Sequence, residues 1–264
     1  MKVKIIHDKN EISDFYSSRT KYDYMYQYNN LDRREWSNTI CYGLYDKGEL
    51  QQIAMLYIGY ETPVLLAASF DKIKYNKELI KRIKNYLPSE FYTHMDKETL
   101  EYAFDKFEME DLHEYINMGI DKSVDISRLD RNKTSTLNIS YSEKINKLFN
   151  DNYPENYLDE NLLELNDCYG ILENNKLISF AGVHAYSLEY KIASVAHVTT
   201  DKKYRSKGYA RDSIVALLKD LRSKVDYIGL NVMTSNTAAI KCYEHIGFKE
   251  YGKYIACDIK LNAF

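Results

Sequence analysis

The segment Cys41-Tyr-Gly-Leu-Tyr-Asp-Lys-Gly-Glu-Leu50 returns later as Cys168-Tyr-Gly-Ile-Leu-Glu-Asn-Asn-Lys-Leu177, an offset of 127. Ala54 and Ala181 keep the same register. In both copies a polar triplet, Asp46-Lys-Gly or Glu173-Asn-Asn, separates two apolar runs, which is the pattern of a β-hairpin. A looser echo pairs Leu112-His-Glu-Tyr-Ile-Asn-Met-Gly-Ile120 with Ile240-Lys-Cys-Tyr-Glu-His-Ile-Gly-Phe248 at an offset of 128. Each reads as a helix that ends at a glycine, followed by an apolar residue returning to the core. Two echoes in one order at nearly one offset predict a tandem duplication. The join falls near residue 125, inside the polar stretch 121–137.

A chain of 264 residues is long enough for two cores of that size. Its 45% hydrophobic and 28% charged residues are those of a globular protein rather than a disordered one. The net charge of −3 supplies no global field for nucleic acid, but residues 201–224 hold eight basic side chains against three acidic ones. Positive charge concentrated there suits a small polyanion. The polar start, Met1-Lys-Val-Lys-Ile-Ile-His7, is unlike a signal peptide, and no apolar stretch approaches the ~20 residues of a membrane span. Cys41, Cys168, Cys242 and Cys257 lack metal-ligand spacing and read as reduced, buried thiols of a cytoplasmic protein, with no metal expected. Tyr22, Tyr24, Tyr26 and Tyr28 alternate; such a stripe is more often core or interface than a ligand site.

Along the first half, a helix is expected over 8–18, a hairpin over 40–59, a strand over 64–70 and a helix over 76–86. The second half opens with a strand at 124–129, then a capped helix from Ser142 to before Pro154, and another helix over 158–165. Strands follow at 168–172, 177–186 and 192–200, a helix over 208–223, a strand over 226–233, a helix over 236–246 and a closing strand or hairpin over 249–261.

The stretch Val195-Ala-His-Val-Thr-Thr-Asp-Lys-Lys-Tyr-Arg-Ser-Lys-Gly-Tyr-Ala210 passes from strand to basic loop to helix. A helix that starts at such a loop leaves several backbone N–H groups unpaired at the positive end of its dipole, a site for phosphate or pyrophosphate. Gly208 lets the backbone approach the anion without a Cβ, and Ala210 keeps the first turn thin.

Arg205-x-x-Gly208-x-Ala210 resembles the coenzyme-A loop of the GNAT superfamily of N-acetyltransferases, Arg/Gln-x-x-Gly-x-Gly/Ala after the fourth strand. Asn236-Thr-Ala-Ala-Ile-Lys-Cys-Tyr243-Glu-His-Ile-Gly-Phe248 is similar to the family's later Asn-x-x-Ala-x-x-x-Tyr-x-x-x-Gly-Phe. The resemblance covers about residues 124–264 and reaches the first half only through the repeat. It implies an α/β (α+β) fold of two tandem GNAT-like domains, each a mixed, mostly antiparallel sheet flanked by helices. Residues 1–124 would be a degenerate, non-catalytic copy and residues 125–264 the catalytic one. At offset 127, Glu78, Lys81 and Ile83 stand where Arg205, Gly208 and Ala210 do, so the first copy has no phosphate loop. This arrangement resembles the glycine N-acyltransferase-like branch of the superfamily.

The implied chemistry is attack by an amine on the thioester of acetyl-CoA. The resemblance assigns the pyrophosphate to Arg205, Ser206, Lys207, Gly208, Tyr209 and Ala210. It gives the pantetheine and acyl carbonyl to backbone groups of Val198 and Thr200, and the cofactor arm to Asn236. Tyr243 would be the proton donor to the leaving thiolate, although Tyr115 occupies the matching place in the other copy. The base stays open among His197, His184, Glu189 and an ordered water. Strand alternation turns His197 away from the Val198 face unless a bulge intervenes. The expected acceptor is a primary amine of a small molecule or amino-acid-like compound, with no nucleic acid or membrane as partner, and a homodimer is allowed. A bulkier acyl-CoA or a non-catalytic acyl-CoA-binding module are the alternatives. Aminoacyl-tRNA-dependent peptidoglycan ligases, which need no coenzyme-A loop, fit less well.

Overall fold

A computed structural model describes residues 1–129, 132–154, 163 and 168–261. Twelve strands and seven α-helices lie among the described residues. In order they are β1 (Lys2–Ile6), α1 (Lys9–Ser17), α2 (Met25–Leu31), β2 (Thr39–Asp46), β3 (Glu49–Tyr57), β4 (Val64–Ala67), α3 (Ile73–Ile83), β5 (Glu90–Met95), α4 (Lys97–Ala103) and β6 (Met109–Ile120). Then come β7 (Ser135–Leu137), α5 (Ser142–Asn152), β8 (Cys168–Glu173), β9 (Lys176–Ser187), β10 (Ile192–Thr200), α6 (Tyr209–Leu221), β11 (Tyr227–Met233), α7 (Thr237–Ile246) and β12 (Lys249–Lys260).

The chain divides into two compact units, each made of non-contiguous stretches. The first contains residues 1–117, 233–235 and 251–264; the second contains 118–232 and 236–250. The polar join expected near residue 125 therefore lies inside the second unit. The last strand is stitched to the first unit by its antiparallel ladder with β5, from Ile255↔Met95 to Lys260↔Glu90.

In the first unit the strands run β1-β2-β3-β4-β5-β12, antiparallel except for β4 with β5. One face is closed by α3, whose Leu79, Ile80 and Ile83 pack on Leu44, Leu56, Leu65 and Phe91. Tyr24 and Tyr28, one turn apart at the start of α2, pack beside Tyr16 in the core rather than alternating along a strand.

In the second unit the order is β7-β8-β9-β10-β11, antiparallel except for β10 with β11. Ile145, Leu148 and Phe149 of α5 meet Leu177 and Phe180 on one face. On α6, Ile214, Leu217, Leu218 and Leu221 are buried, the one-sided stripe its spacing predicts.

The first repeat is reproduced down to its irregularities. Gly43↔Ile53, Leu44↔Gln52 and Tyr45↔Leu50 become Gly170↔Phe180, Ile171↔Ser179 and Leu172↔Leu177, each position shifted by 127. The register slip between Leu44 and Tyr45 recurs between Ile171 and Leu172. Both turns need two left-handed residues, supplied by Lys47-Gly48 and Asn174-Asn175.

Four expectations are corrected, and a fifth lies outside the described residues. Residues 112–120 belong to strand β6, not to a helix. Five consecutive buried residues, Ile116 to Ile120, mark a strand covered on both faces, and Gly119 has no left-handed φ with which to cap a helix. Tyr115 is thus no counterpart of Tyr243; it stacks on Tyr254 with centroids 5.6 Å apart. Residues 124–129 form turns instead of a strand. Asp121 and Asp125 accept the backbone N–H groups of Ser123 and Ser127, and Arg222 holds the Val124 carbonyl at 2.8 Å. The segment compared with the phosphate loop, 76–83, lies within α3; the loop before that helix is 68–72, which has no glycine either. The helix expected over 158–165 lies outside the described residues. Cys41, Cys168 and Cys257 are buried free thiols, whereas Cys242 is half-buried.

Candidate active site

The strand β10 carries the site's frame. It pairs with β11 in parallel from Ile192↔Tyr227 to Val195↔Leu230, and there the ladder stops although both strands continue. From Ala196 to Thr200 the β11-facing edge of β10 has no ladder partner in β11. Val198 lies in this stretch, inside a bulge, and Thr200 at its end. Thr200 is back in register with Ser179, whose hydroxyl lies 3.2 Å from that of Thr200 and accepts from Ser213 of α6 at 3.0 Å.

Beyond Thr200 the chain is pinned before it turns. Buried Asp201 accepts the Lys203 N–H at 2.9 Å and pairs with Lys176, which holds its carboxyl below the usual carboxylate range. The Lys202 N–H is held by Asn152 at 2.8 Å. Arg205 folds back to donate to the Thr200 carbonyl at 3.2 Å. Ser206 and Gly208 then take left-handed φ values of 63° and 85°, so successive amides turn toward one point.

The first helical bond of α6 runs from the Asp212 N–H to the Gly208 carbonyl at 3.0 Å. The N–H groups of Tyr209, Ala210 and Arg211 precede it, so helix geometry gives them no intrahelical acceptor. Arg205, Ser206 and Lys207 are exposed around this end, and Gly208, Tyr209 and Ala210 are half-buried. A Cβ at Gly208 would stand 2.9 Å from the Arg211 guanidinium.

The matched family model identifies this stretch: residues 138–248 fit the acetyltransferase (GNAT) family. Residues 138–248 are a GNAT acetyltransferase domain. No curated protein matches the chain by sequence. Solved structures share its fold over most of its length. A Drosophila protein gives a TM-score of 0.71 at 11% identity, with 99% of each chain covered. A GNAT-family protein from Novosphingobium aromaticivorans gives 0.62 at 16% identity, covering 89% of this chain and 96% of its own. A tandem GNAT protein from the clavulanic acid biosynthesis pathway gives 0.58 at 9% identity, with 100% of both chains covered. At such identities the likeness is one of fold.

Within the GNAT domain, Asn236 caps α7, its side chain accepting the Ala239 N–H at 3.2 Å. Tyr243 lies two turns on, buried, with its ring 5.9 Å from that of Phe248. Burial first, and then the neighbouring Cys242 and Tyr153, push its phenol well above the ordinary tyrosine value. Gly247 ends α7 with a φ of 111°, and the Gly247 and Phe248 N–H groups both return to the Tyr243 carbonyl. Burial raises the Cys242 thiol while Arg211 lowers it, so this part of α7 stands close to the start of α6.

Sequence reading overlooked Arg211 as a site residue. It was visible only as one basic side chain among eight; what distinguishes it is the buried Asp212 that holds its guanidinium beside Gly208. Of the candidate bases, Glu189 is exposed in the β9–β10 turn, at the opposite end of β10 from the loop. His197 does sit in a bulge, the one condition that changes its facing.

Proposed function

We propose that the protein is an acyl-CoA-dependent N-acetyltransferase, moving acetyl from acetyl-CoA to a primary amine of a small molecule or amino-acid-like acceptor by direct attack in a ternary complex. The observation that carries this reading is the loss of β10–β11 pairing past Val195, on the strand that leads into a left-handed glycine at a helix start. An unpaired strand edge is what an extended pantetheine arm with amide groups needs, and a glycine-opened helix N-terminus suits a pyrophosphate. The donor set fits the group: main-chain amides at Gly208 to Ala210, with Arg205, Lys207 and Arg211 around them.

In this reading the loop residues 205–210 grip the diphosphate, and Val198 and Thr200 bond the arm and polarise the acyl carbonyl. Asn236 holds the arm near α7, and Tyr243 donates a hydrogen bond to the departing sulfur. Acetyl-CoA supplies the activated acyl group; the residues supply position and charge stabilisation. Residues 1–124 act as the degenerate copy and 125–264 as the working one.

Purified protein is incubated with acetyl-CoA and a panel of primary amines, and free thiol is measured. Amine-dependent thiol release with a matching acetylated product is the expected result. Acetyl-CoA binding without release from any amine turns the reading toward a binding module, and no binding at all removes it.

A further inference from the structure

Two histidines of the second unit stand where the pairing of β9 with β10 fails. Between Ala185↔Ser194 and Val183↔Val195, β9 carries an extra residue, His184. Between Gly182↔Ala196 and Phe180↔Thr199 the surplus passes to β10, and His197 absorbs it with a φ of 57°. Lys47, Asn174, Asn175 and Lys191 also have positive φ, but in turns, Ser206 in the phosphate loop, and Asp111 at the exposed start of β6. A left-handed residue in mid-strand is held there by its surroundings at some cost, and such outliers cluster at functional sites.

The two bulges have one consequence. They bring the imidazoles of His184 and His197 to 5.9 Å between centroids, nearly perpendicular, with the Phe149 ring stacked 6.4 Å from His197. The first bulge falls at Val195, the residue where β10 parts from β11. His184 is half-buried, so a small polar molecule can reach it, whereas the Nε2 of His197 is buried.

We propose that His184, positioned by His197, is the base that receives the proton of the acceptor amine. This rests on the acetyl-transfer reading above and names the group that reading leaves open. Burial, and then the neighbouring charge on His184, lower the His197 imidazole to about 3. Two rings so close disfavour a second positive charge, and burial keeps His197 neutral, so His184 is the ring of the pair that takes up a proton.

The proton count closes. The amine arrives as an ammonium, and His184 takes one proton, freeing the lone pair. The nitrogen–carbon bond forms and the carbon–sulfur bond breaks, with its electron pair going to sulfur. A second N–H proton ends on that sulfur, and His184 returns its own to water. His197 is a positioning residue in this scheme.

The test uses the amine that releases most thiol in the panel. His184→Gln is expected to lower kcat by roughly 10²-fold or more with acetyl-CoA affinity by calorimetry unchanged, and added imidazole restores part of the rate to His184→Ala. Ring NMR of the protein alone gives a second readout. In His184→Gln the His197 imidazole takes up its proton at higher pH than in the wild type, because the like charge is gone. Wild-type kcat in His184→Gln, or an unmoved His197 titration, overturns the proposal while leaving acetyl transfer standing. A wild-type protein that binds acetyl-CoA but acetylates no amine removes the reading beneath it instead.

Discussion

Arg211 holds the carboxylate of Asp212 through two nitrogens, Nε at 2.8 Å and Nη2 at 2.6 Å, although adjacent helical side chains normally point apart. Asp212 has no exposed surface and also accepts from the backbone and side chain of Asn132. The carboxylate thus sits in the first turn of α6, where the helix dipole favours negative charge, and fixes a cation beside Gly208. Removing one partner of a mostly buried pair leaves the other charge uncompensated. Asp212→Asn is expected to destabilise the fold by about 3 kcal/mol, read as a lower urea midpoint at unchanged slope, and to weaken acetyl-CoA binding. An unchanged midpoint shows that Arg211 is held by something else.

Gly208 is the position where the cradle tolerates least. Its φ of 85° is strained for any L side chain, and a Cβ would press on the Arg211 guanidinium. Gly208→Ala tests the left-handed strain and the Cβ contact with Arg211 without added charge, a cost of order 1 kcal/mol. Gly208→Glu adds bulk and a negative charge at the proposed pyrophosphate site, and calorimetry is expected to show at least a 10²-fold loss of acetyl-CoA affinity, about 2.7 kcal/mol. Wild-type affinity in the glutamate variant rejects the loop as the anion site.

Tyr243 is buried, and its raised pKa means that the phenol keeps its proton beyond the ordinary tyrosine value near 10. In the proposed reaction a group so reluctant to ionise would serve as a hydrogen-bond donor to the thiolate rather than as a full proton source. Its contribution to rate therefore persists as pH rises through 8 and 9 instead of fading. Tyr243→Phe is expected to lower kcat roughly 10- to 100-fold, with the acetyl-CoA dissociation constant unchanged and the alkaline side of the pH profile unaltered in shape. Undiminished turnover withdraws the role.

The duplicated hairpin was legible because its register is set locally: turn residues and alternating apolar positions decide which residues face each other, and an offset of 127 carries the whole pattern. The helix starting at Gly208 and the cap at Asn236 were legible for the same reason, since each is a side-chain or backbone preference acting within four residues. In residues 112–120 a glycine before an apolar residue has the local pattern of a helix cap, whereas burial on both faces makes β6 a strand, and that depends on neighbours remote in sequence. The turns at 124–129 depend likewise on Arg222, almost a hundred residues away. Strand alternation also hid the histidine pair, because a bulge resets facing and only the partner strand reveals it.

Gly247 ties the end of α7 to one of those turns. A Cβ there would stand 2.6 Å from the Val124 Cγ1, and its φ is 111°. Gly247→Ala is expected to cost about 2 kcal/mol, from left-handed strain and the displaced valine together, and to lower the melting temperature by several degrees. Gly247→Ala combined with Val124→Ala relieves the contact but keeps the strain. Equal cost in the single and double variants shows that Val124 does not contribute.

His197 makes stability depend on acid in a way that can be isolated. Its imidazole is lowered from 6.5 to about 3 in the folded protein, chiefly by burial. Below pH 6.5 the unfolded chain binds a proton that folded His197 refuses, so the stability contributed by the neutral ring is fully present above 6.5 and declines as pH falls toward 3. Between pH 7 and 4 that decline amounts to about 3 kcal/mol at most. His197→Phe places a second ring against Phe149 and has no proton to gain. Urea midpoints at the two pH values are expected to converge in this variant relative to wild type, after the carboxylates common to both proteins cancel. An equal loss in wild type and variant shows that the histidine titrates near its ordinary value in the folded state.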